Sequence, residues 1–153
     1  MTTRIASALD RLSPEVYTRL EVLTRLVEYP TGATVLRDGI DTPFLGVILE
    51  GRAALRFRIP ELGNRLTIVT IEPGELLGWS AVVPPYRATV DAVATEPTRI
   101  LAIDAAALRE RLTADCELAA ELLPLVLESV SQRLTASWQQ LLDVFGRGVP
   151  EPW

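Results

Sequence analysis

The sequence predicts an α+β fold: a small β-jelly-roll barrel of about eight strands with an N-terminal helix and a long C-terminal helix. Between residues 27 and 103, short β-rich runs recur, separated by Gly, Pro, Asp and Asn, and helix-start signals lie on both sides of this region. The length of 153 residues, 48% of them apolar, allows one core that buries about two-thirds of the unfolded chain's surface. We therefore expect one domain, with a helical segment at 1–26, the barrel at 27–103, helices at 104–145 and a tail at 146–153.

The N-terminal helix has a clear start signal. Ser13 can accept a hydrogen bond as the N-cap, Pro14 suits the first helical position, and Glu15 places an acid in the first turn. These residues predict a helix that runs to about Leu26.

Six runs predict strands, at residues 33–37, 44–49, 52–59, 65–71, 89–94 and 98–103. In the third run, alternation predicts a dry face, formed by Ala53, Leu55, Phe57 and Ile59, and a wet face, formed by Ala54, Arg56 and Arg58. The turns between the runs carry glycines for which we expect positive φ or a close backbone approach. These are Gly32, Gly39, Gly51, Gly63, Gly74 and Gly78.

Two helices follow the barrel. Asp104 is the expected N-cap of the helix AAALRERL, and Asp115 is the expected N-cap of a long helix that ends near Phe145. Pro124 lies inside that helix and should kink it, because proline removes one backbone hydrogen bond.

The long helix carries apolar residues on two faces. One set approximates a heptad stripe, formed by Leu123, Leu127, Val130, Leu134, Trp138, Leu141 and Phe145. A second set is formed by Leu118, Leu122, Val126 and Leu142. Both sets could pack on the protein's own barrel, but a helix that is apolar on two sides usually has two partners. We therefore expect a homodimer, with Leu127, Val130, Leu134, Trp138 and Leu141 at the interface.

Composition excludes several classes of protein. A net charge of −5 opposes nucleic-acid binding, because phosphate neutralisation requires a surplus of basic residues. No apolar run approaches the ~20 residues of a membrane span, and the N-terminus has no long apolar segment typical of a secretory signal. The lone Cys116 rules out an intramolecular disulfide and is compatible with a cytoplasmic location.

Catalytic motifs are missing from the chain. It contains no histidine, no second cysteine, no Gly-x-Ser-x-Gly elbow, no Walker-type phosphate loop and no carboxylates at metal-ligand spacing. We expect neither an enzyme nor a metal site.

The segment 73–94, PGELLGWSAVVPPYRATVDAVA, predicts a site for an anion. A Pro-Gly turn and a short apolar strand lead to a glycine-hinged corner at residues 78–81 (here called the corner), where successive backbone N–H groups can form a nest. Arg87 follows nine residues after Gly78, and a buried arginine that faces the nest can hold a phosphate with two hydrogen bonds.

This pattern resembles the phosphate-binding cassette of the cyclic-nucleotide-binding domain family, the sensor domain of Crp/Fnr-type regulators. The resemblance covers roughly residues 20–145 and includes the stretch VILEGRAAL around Gly51. It implies the jelly-roll fold and a pairing of two long helices across a dimer axis. It also implies a ligand site formed by Gly78, Trp79, Ser80, Ala81, Arg87, Ala88 and Thr89.

The resemblance also implies roles for single residues. Ser137 and Trp138 correspond to the part of the long helix that covers the base, where Trp138 either stacks on the base or packs in the dimer interface. Ala88 occupies the position where Ser or Thr favours guanine, which implies adenine if a nucleotide binds. Thr89 is either a strand residue or a ligand contact. Family members of the catabolite-activator type continue into a helix-turn-helix, for which residues 146–153 are too short and proline-rich, so we expect no binding to DNA.

Trp79 departs from the family pattern. It occupies the position of the glutamate that accepts the ribose 2′-hydroxyl hydrogen, and an indole can only donate. An unpaired 2′-hydroxyl costs about 1–3 kcal/mol, so weak or no binding of cyclic AMP is expected.

Two functions remain compatible with the sequence. The first is a homodimeric sensor that binds a small anionic ligand, a cyclic nucleotide or another phosphate-bearing molecule, and acts on a separate, unidentified partner protein. The second is a ligand-free interaction scaffold whose pocket is closed by Trp79 and Tyr86.

Overall fold

The computed structural model describes residues 7–58 and 65–146, so the predicted turn at Gly63 and the tail after Gly146 lie outside the described residues. The helices are α1 (Pro14–Glu21), α2 (Ala105–Ala114) and α3 (Cys116–Gly146), and a short 3₁₀ turn, Ala8–Arg11, precedes α1. The strands are β1 (Thr24–Tyr29), β2 (Thr34–Leu36), β3 (Phe44–Glu50), β4 (Ala53–Arg58), β5 (Arg65–Ile71), β6 (Leu76–Leu77), β7 (Asp91–Ala94) and β8 (Thr98–Asp104).

The eight strands form two four-stranded antiparallel sheets, which confirms the predicted α+β jelly-roll fold. One sheet has the order β1-β8-β3-β6 and the other the order β2-β7-β4-β5. Strand β6 follows β5 in the chain but pairs with β3 in the other sheet, so the chain enters the corner from the first sheet.

The apolar core has two layers, one on each face of β3. Phe44 and Ile48 pack with residues of both sheets inside the barrel, whereas Leu45 and Val47 pack with the helices. This strand is buried on both faces for most of its length, which explains its continuous apolar sequence. The helix-side layer includes Leu118, Leu122 and Val126 of the second apolar set on α3. Leu142, predicted with them, is exposed.

The N-terminal helix is shorter than predicted. It ends at Glu21, and residues 24–29 form β1 instead of continuing the helix to Leu26. The cause is tertiary: β1 pairs with β8 from Thr24 opposite Ile103 to Tyr29 opposite Thr98, which satisfies the backbone groups on that side of β8. The barrel thus begins at Thr24 and not at residue 27.

The predicted alternation of faces fails in β4. Ala54 is buried although it was assigned to the wet face, and Phe57 is 46% exposed although it was assigned to the dry face. The pairing with β5 shifts register between Leu55 and Arg56. Because the extra residue, Ile68, lies on β5 and β4 pairs with β7 without a shift, the bulge does not reorient β4.

The predicted helix starts are confirmed. Ser13, Asp104 and Asp115 each accept a backbone N–H through the side chain, from Val16 (3.4 Å), Ala107 (2.9 Å) and Leu118 (3.1 Å) respectively. Helix α3 continues through Pro124. None of the helices in the described part of the chain combines the length and the apolarity needed to cross a bilayer.

Candidate functional site

The corner begins with a residue that must be glycine. Gly78 has a φ of 86°, and a Cβ atom added to it would lie 2.5 Å from the carbonyl oxygen of Phe44. Any side chain would therefore displace β3 or the corner itself. The positive φ predicted for this residue is confirmed, as it is for Gly32, Gly39, Gly51 and Gly74.

The backbone after Gly78 is partly occupied by its own hydrogen bonds. Residues Trp79–Val82 form a 3₁₀ turn in which the Ala81 N–H donates to the carbonyl oxygen of Gly78 at 3.0 Å. Ser80 and Ala81 were both expected to offer N–H groups to an anion. In this conformation the N–H of Ala81 is already engaged.

Two side chains that sequence reasoning missed hold the corner in place. The hydroxyl oxygens of Thr42 and Ser80 lie 2.6 Å apart and both residues are buried. From the other side, Arg109 of α2 donates to the carbonyl oxygen of Ala81 at 2.9 Å and lies 4.4 Å from the ring centroid of Tyr86. The corner is therefore fixed by the loop before β3 and by α2.

Tyr86 lies on the α2 side of the corner. It lines neither of the two cavities described below. The cation–π contact with Arg109 accounts for its position.

Arg87 is exposed, which corrects the expectation of a buried anion-facing guanidinium. Its side chain is 63% exposed, and its Nε lies 3.4 Å from a carboxylate oxygen of Asp41. Residue 87 forms an isolated bridge with Asp41, and the Ala88 N–H donates to the carbonyl oxygen of Ile40 at 3.0 Å. This pairing directs Ala88 into the barrel core and Arg87 to the surface. Residues 87 and 88 pair with this loop, and the strand predicted at 89–94 begins only at Asp91.

Trp79 occupies the space beside the corner. The indole is half-buried and packs against the helix-side core layer. A cavity of about 20 Å³ lies between Trp79, Gly78, Ser80, Ala88 and Thr89. Such a volume holds about one water molecule, whereas pockets for small ligands usually measure about 300–1,000 Å³. The space at the corner is far below that range.

A second cavity, of about 200 Å³, continues from the corner to α3. Its walls are mostly apolar: Leu55, Phe57, Ile68, Val69, Trp79, Val90, Val130 and Leu134. Ser137 lines this cleft and donates its hydroxyl to the carbonyl oxygen of Arg133 at 2.9 Å. Trp138 does not line it and is 58% exposed.

Arg133 is the cation that the structure brings to this region. It lies on α3, lines both cavities and donates from Nη2 to the carbonyl oxygen of Leu76, two residues before Gly78. Its Nε is buried and has no hydrogen-bond partner among the described residues. Burial lowers the pKa of its guanidinium to about 10, partly offset by Glu75, so the group stays charged at neutral pH. The sequence did contain a signal for Arg133. It is the lone basic residue of the long helix and precedes Ser137 by four positions, which places both on the same face of the helix.

Four of the five residues predicted at a dimer interface are exposed: Leu127, Leu134, Trp138 and Leu141. The fifth, Val130, is partly buried in the cleft beside the barrel. The stripe on α3 therefore divides into a face on the barrel and a face open to solvent.

Within the described residues, no group of three or more His, Cys, Asp or Glu side chains is placed to hold a metal ion.

Comparison with known families agrees with the fold. The family model of the cyclic nucleotide-binding domain matches residues 26–115. A curated relative, the CRP-like cAMP-activated global transcriptional regulator of Mycobacterium tuberculosis, is 23% identical over 145 residues. The match covers 95% of this chain but 62% of that regulator, so the chain spans less than two-thirds of its length.

Solved structures show the same fold. One, assigned to the cyclic nucleotide-binding proteins of Geobacter metallireducens GS-15, is 27% identical with a TM-score of 0.74, over 83% of this chain and 91% of that chain. Another, a cyclic nucleotide-binding domain from Methylobacillus flagellatus, is 22% identical with a TM-score of 0.77, over 93% of this chain and 78% of that chain.

Proposed function

This chain belongs to the cyclic nucleotide-binding domain family, and from that premise we propose that it is a non-catalytic regulatory domain of the cytoplasm. In this proposal it works as a homodimer, senses a small anionic ligand and acts on a separate partner protein. Cyclic AMP binds weakly or not at all.

The observation that carries the proposal is the position of Trp79. The indole lines the cavity at the corner, where about 20 Å³ remains, and it has no acceptor for a ribose hydroxyl. A cyclic nucleotide would have to displace the indole from its packing against the helix-side core layer. Both effects disfavour ordinary cyclic AMP affinity.

The exposed face of α3 supports the homodimer. Leu127, Leu134 and Trp138 are 69%, 48% and 58% exposed, respectively. Together with Leu141 and Phe145, they form a contiguous apolar face that a second copy of the helix would remove from water.

The regulatory role rests on the family and its relatives. The matched curated relative is a transcriptional regulator, whereas the net charge of −5 in this chain opposes the counterion release that drives DNA binding. We therefore propose an output through protein contacts.

The competing function is a ligand-free interaction scaffold, in which the pocket is closed by Trp79 and Tyr86. The small size of the cavity at the corner favours it. Two observations favour the sensor: the 200 Å³ cleft beside the corner, and the Nε of Arg133, which has no partner in the part of the chain that the structure describes. A buried donor without an acceptor is costly.

Titration calorimetry with cyclic AMP tests the proposal. We expect no binding, or a dissociation constant far above the micromolar range. A sub-micromolar dissociation constant would overturn both the interpretation of Trp79 and the proposed function.

A further inference from the structure

Of the three cavities described here that Arg133 lines, the largest is not at the corner. A groove of about 330 Å³ lies between β5, the turn before β6 and α3, on another side of the Arg133 side chain. This volume is at the lower end of the range of small-molecule pockets, about 300–1,000 Å³. The cavities at the corner and in the apolar cleft, about 20 and 200 Å³, are smaller.

Three contacts enclose the groove and give it a definite shape. At one end, the Ala8 N–H donates to the carbonyl oxygen of Gly74 at 3.0 Å. Arg11 and Glu128 of α3 both line the groove and form an ion pair. At its inner end, Arg133 donates to the carbonyl oxygen of Leu76. The groove is therefore bounded by contacts between distant parts of the chain.

The lining of the groove is suited to a polar molecule. Thr70, Ser129 and Gln132 contribute hydroxyl and amide groups, and the side chain of Ser129 is buried. Arg133 contributes its guanidinium group. A carboxylate is the natural acceptor for such a donor, because a charge-assisted bond satisfies both groups.

The charges of the lining disfavour a ligand with several negative charges. Two arginines, Arg11 and Arg133, are offset by two glutamates, Glu75 and Glu128. The pair between Arg11 and Glu128 neutralises one charge of each sign, which leaves the guanidinium of Arg133 and the carboxylate of Glu75, so the lining has no net charge. A ligand with further negative charges would be repelled by the carboxylates.

We propose that this groove binds a small monoanionic hydroxycarboxylate, whose carboxylate accepts from Arg133 and whose hydroxyl groups meet Thr70, Ser129 and Gln132. This inference rests on the proposed function, because it states which anion is sensed and where. The site joins the turn that leads into the corner to α3, the helix of the proposed dimer, so occupancy restrains the two against each other.

Gluconate is a suitable probe, because it carries one carboxylate and several hydroxyl groups. Sorbitol is its uncharged counterpart. Backbone amide resonances of the full chain are followed by NMR during titration with sodium gluconate up to tens of millimolar. Sorbitol and sodium chloride are the reference titrations. We expect saturable shifts for Thr70, Leu76, Ser129 and Gln132 with gluconate alone. Equal responses to gluconate and to the references would overturn the proposal.

Two glutamines of α3 provide matched variants. Gln132 lines the groove, and Gln139 is exposed on the same helix and lines none of the cavities described above. Gln132→Glu should weaken gluconate binding roughly tenfold, because it adds a carboxylate beside the ligand's own. Gln139→Glu should leave the affinity within about twofold, since distant exposed charges are screened. Equal weakening by both variants would mean non-specific electrostatics and would reject the site.

Two serines distinguish the groove from the apolar cleft. Ser129→Ala should weaken gluconate binding, and Ser137→Ala, in the cleft, should not. The opposite result would place the ligand in the cleft and overturn this inference. The failure of this inference can be distinguished from the failure of the proposed function, because the proposed function is tested by the affinity for cyclic AMP. Absent gluconate binding leaves the interpretation of Trp79 intact, whereas tight cyclic AMP binding contradicts that interpretation whatever gluconate does.

Discussion

The hydroxyl oxygens of Thr42 and Ser80 lie 2.6 Å apart in the core, where they connect the loop before β3 to the corner. Neither residue is accessible to water, at 3% and 5% exposure, so each hydroxyl depends on the other. The shape of the corner is thus decided partly by a residue that is distant in sequence.

Thr42→Val should destabilise the protein, because it leaves the buried hydroxyl of Ser80 without this partner. We expect the free energy of unfolding to fall by about 1–3 kcal/mol, measured by urea denaturation. Thr42→Ser keeps the hydroxyl and is the control for the loss of the bond. Adding Ser80→Ala to Thr42→Val should recover part of the loss, and equal effects of the valine and serine variants would contradict the prediction.

Arg109→Ala should destabilise the protein more than Arg87→Ala. Arg109 donates to the carbonyl oxygen of Ala81 and lies over Tyr86, so its removal should cost about 1–3 kcal/mol. Arg87 is exposed and pairs with an exposed carboxylate, so its removal should cost less than about 1 kcal/mol. Urea denaturation of both variants decides the order. A larger loss for Arg87→Ala would mean that its side chain is engaged within the fold.

Trp79→Glu should increase the affinity for cyclic AMP, because it restores an acceptor for the ribose hydroxyl and removes the bulk of the indole. The expected gain is about one to two decades, corresponding to about 1–3 kcal/mol, measured by calorimetric titration. Trp79→Leu removes bulk without adding an acceptor and should gain less. If the two variants bind alike, the missing carboxylate is not the cause of the weak binding.

Leu134→Glu should abolish the homodimer, because it places a carboxylate within the apolar face of α3, where burial without a partner is strongly disfavoured. Light scattering at tens of micromolar should find a dimer for the wild type and a monomer or an insoluble chain for this variant. Val22→Glu changes an apolar residue that is 74% exposed at the end of α1 and is the control. A monomeric wild type would reject the homodimer.

The sequence was sufficient for the features that depend on local conformation. A left-handed backbone strongly favours glycine, so the turn glycines and the hinge at Gly78 were predictable one by one. Ser13, Asp104 and Asp115 were recognisable as N-caps because each bond spans only three residues. The strand runs and the long helix followed from their periodicity.

Errors occurred where distant parts of the chain decide the outcome. Whether Leu26 lies in a helix or in a strand depends on the pairing of β1 with β8. Arg87 was expected to be buried, but the bridge to Asp41 directs it outward. Arg133 was missed, because only the packing of α3 against the barrel brings a residue 55 positions after Gly78 to the corner.

By itself the sequence determined the jelly-roll fold, its family, the glycine-hinged corner and the presence of Trp79 where a carboxylate was expected. These are properties of residue type and spacing, which act through backbone sterics and side-chain chemistry. Only the tertiary structure decided how much space remains beside Trp79 and which guanidinium is buried there. Cavity volume and burial arise from the relative positions of the sheets and α3, which no local pattern specifies.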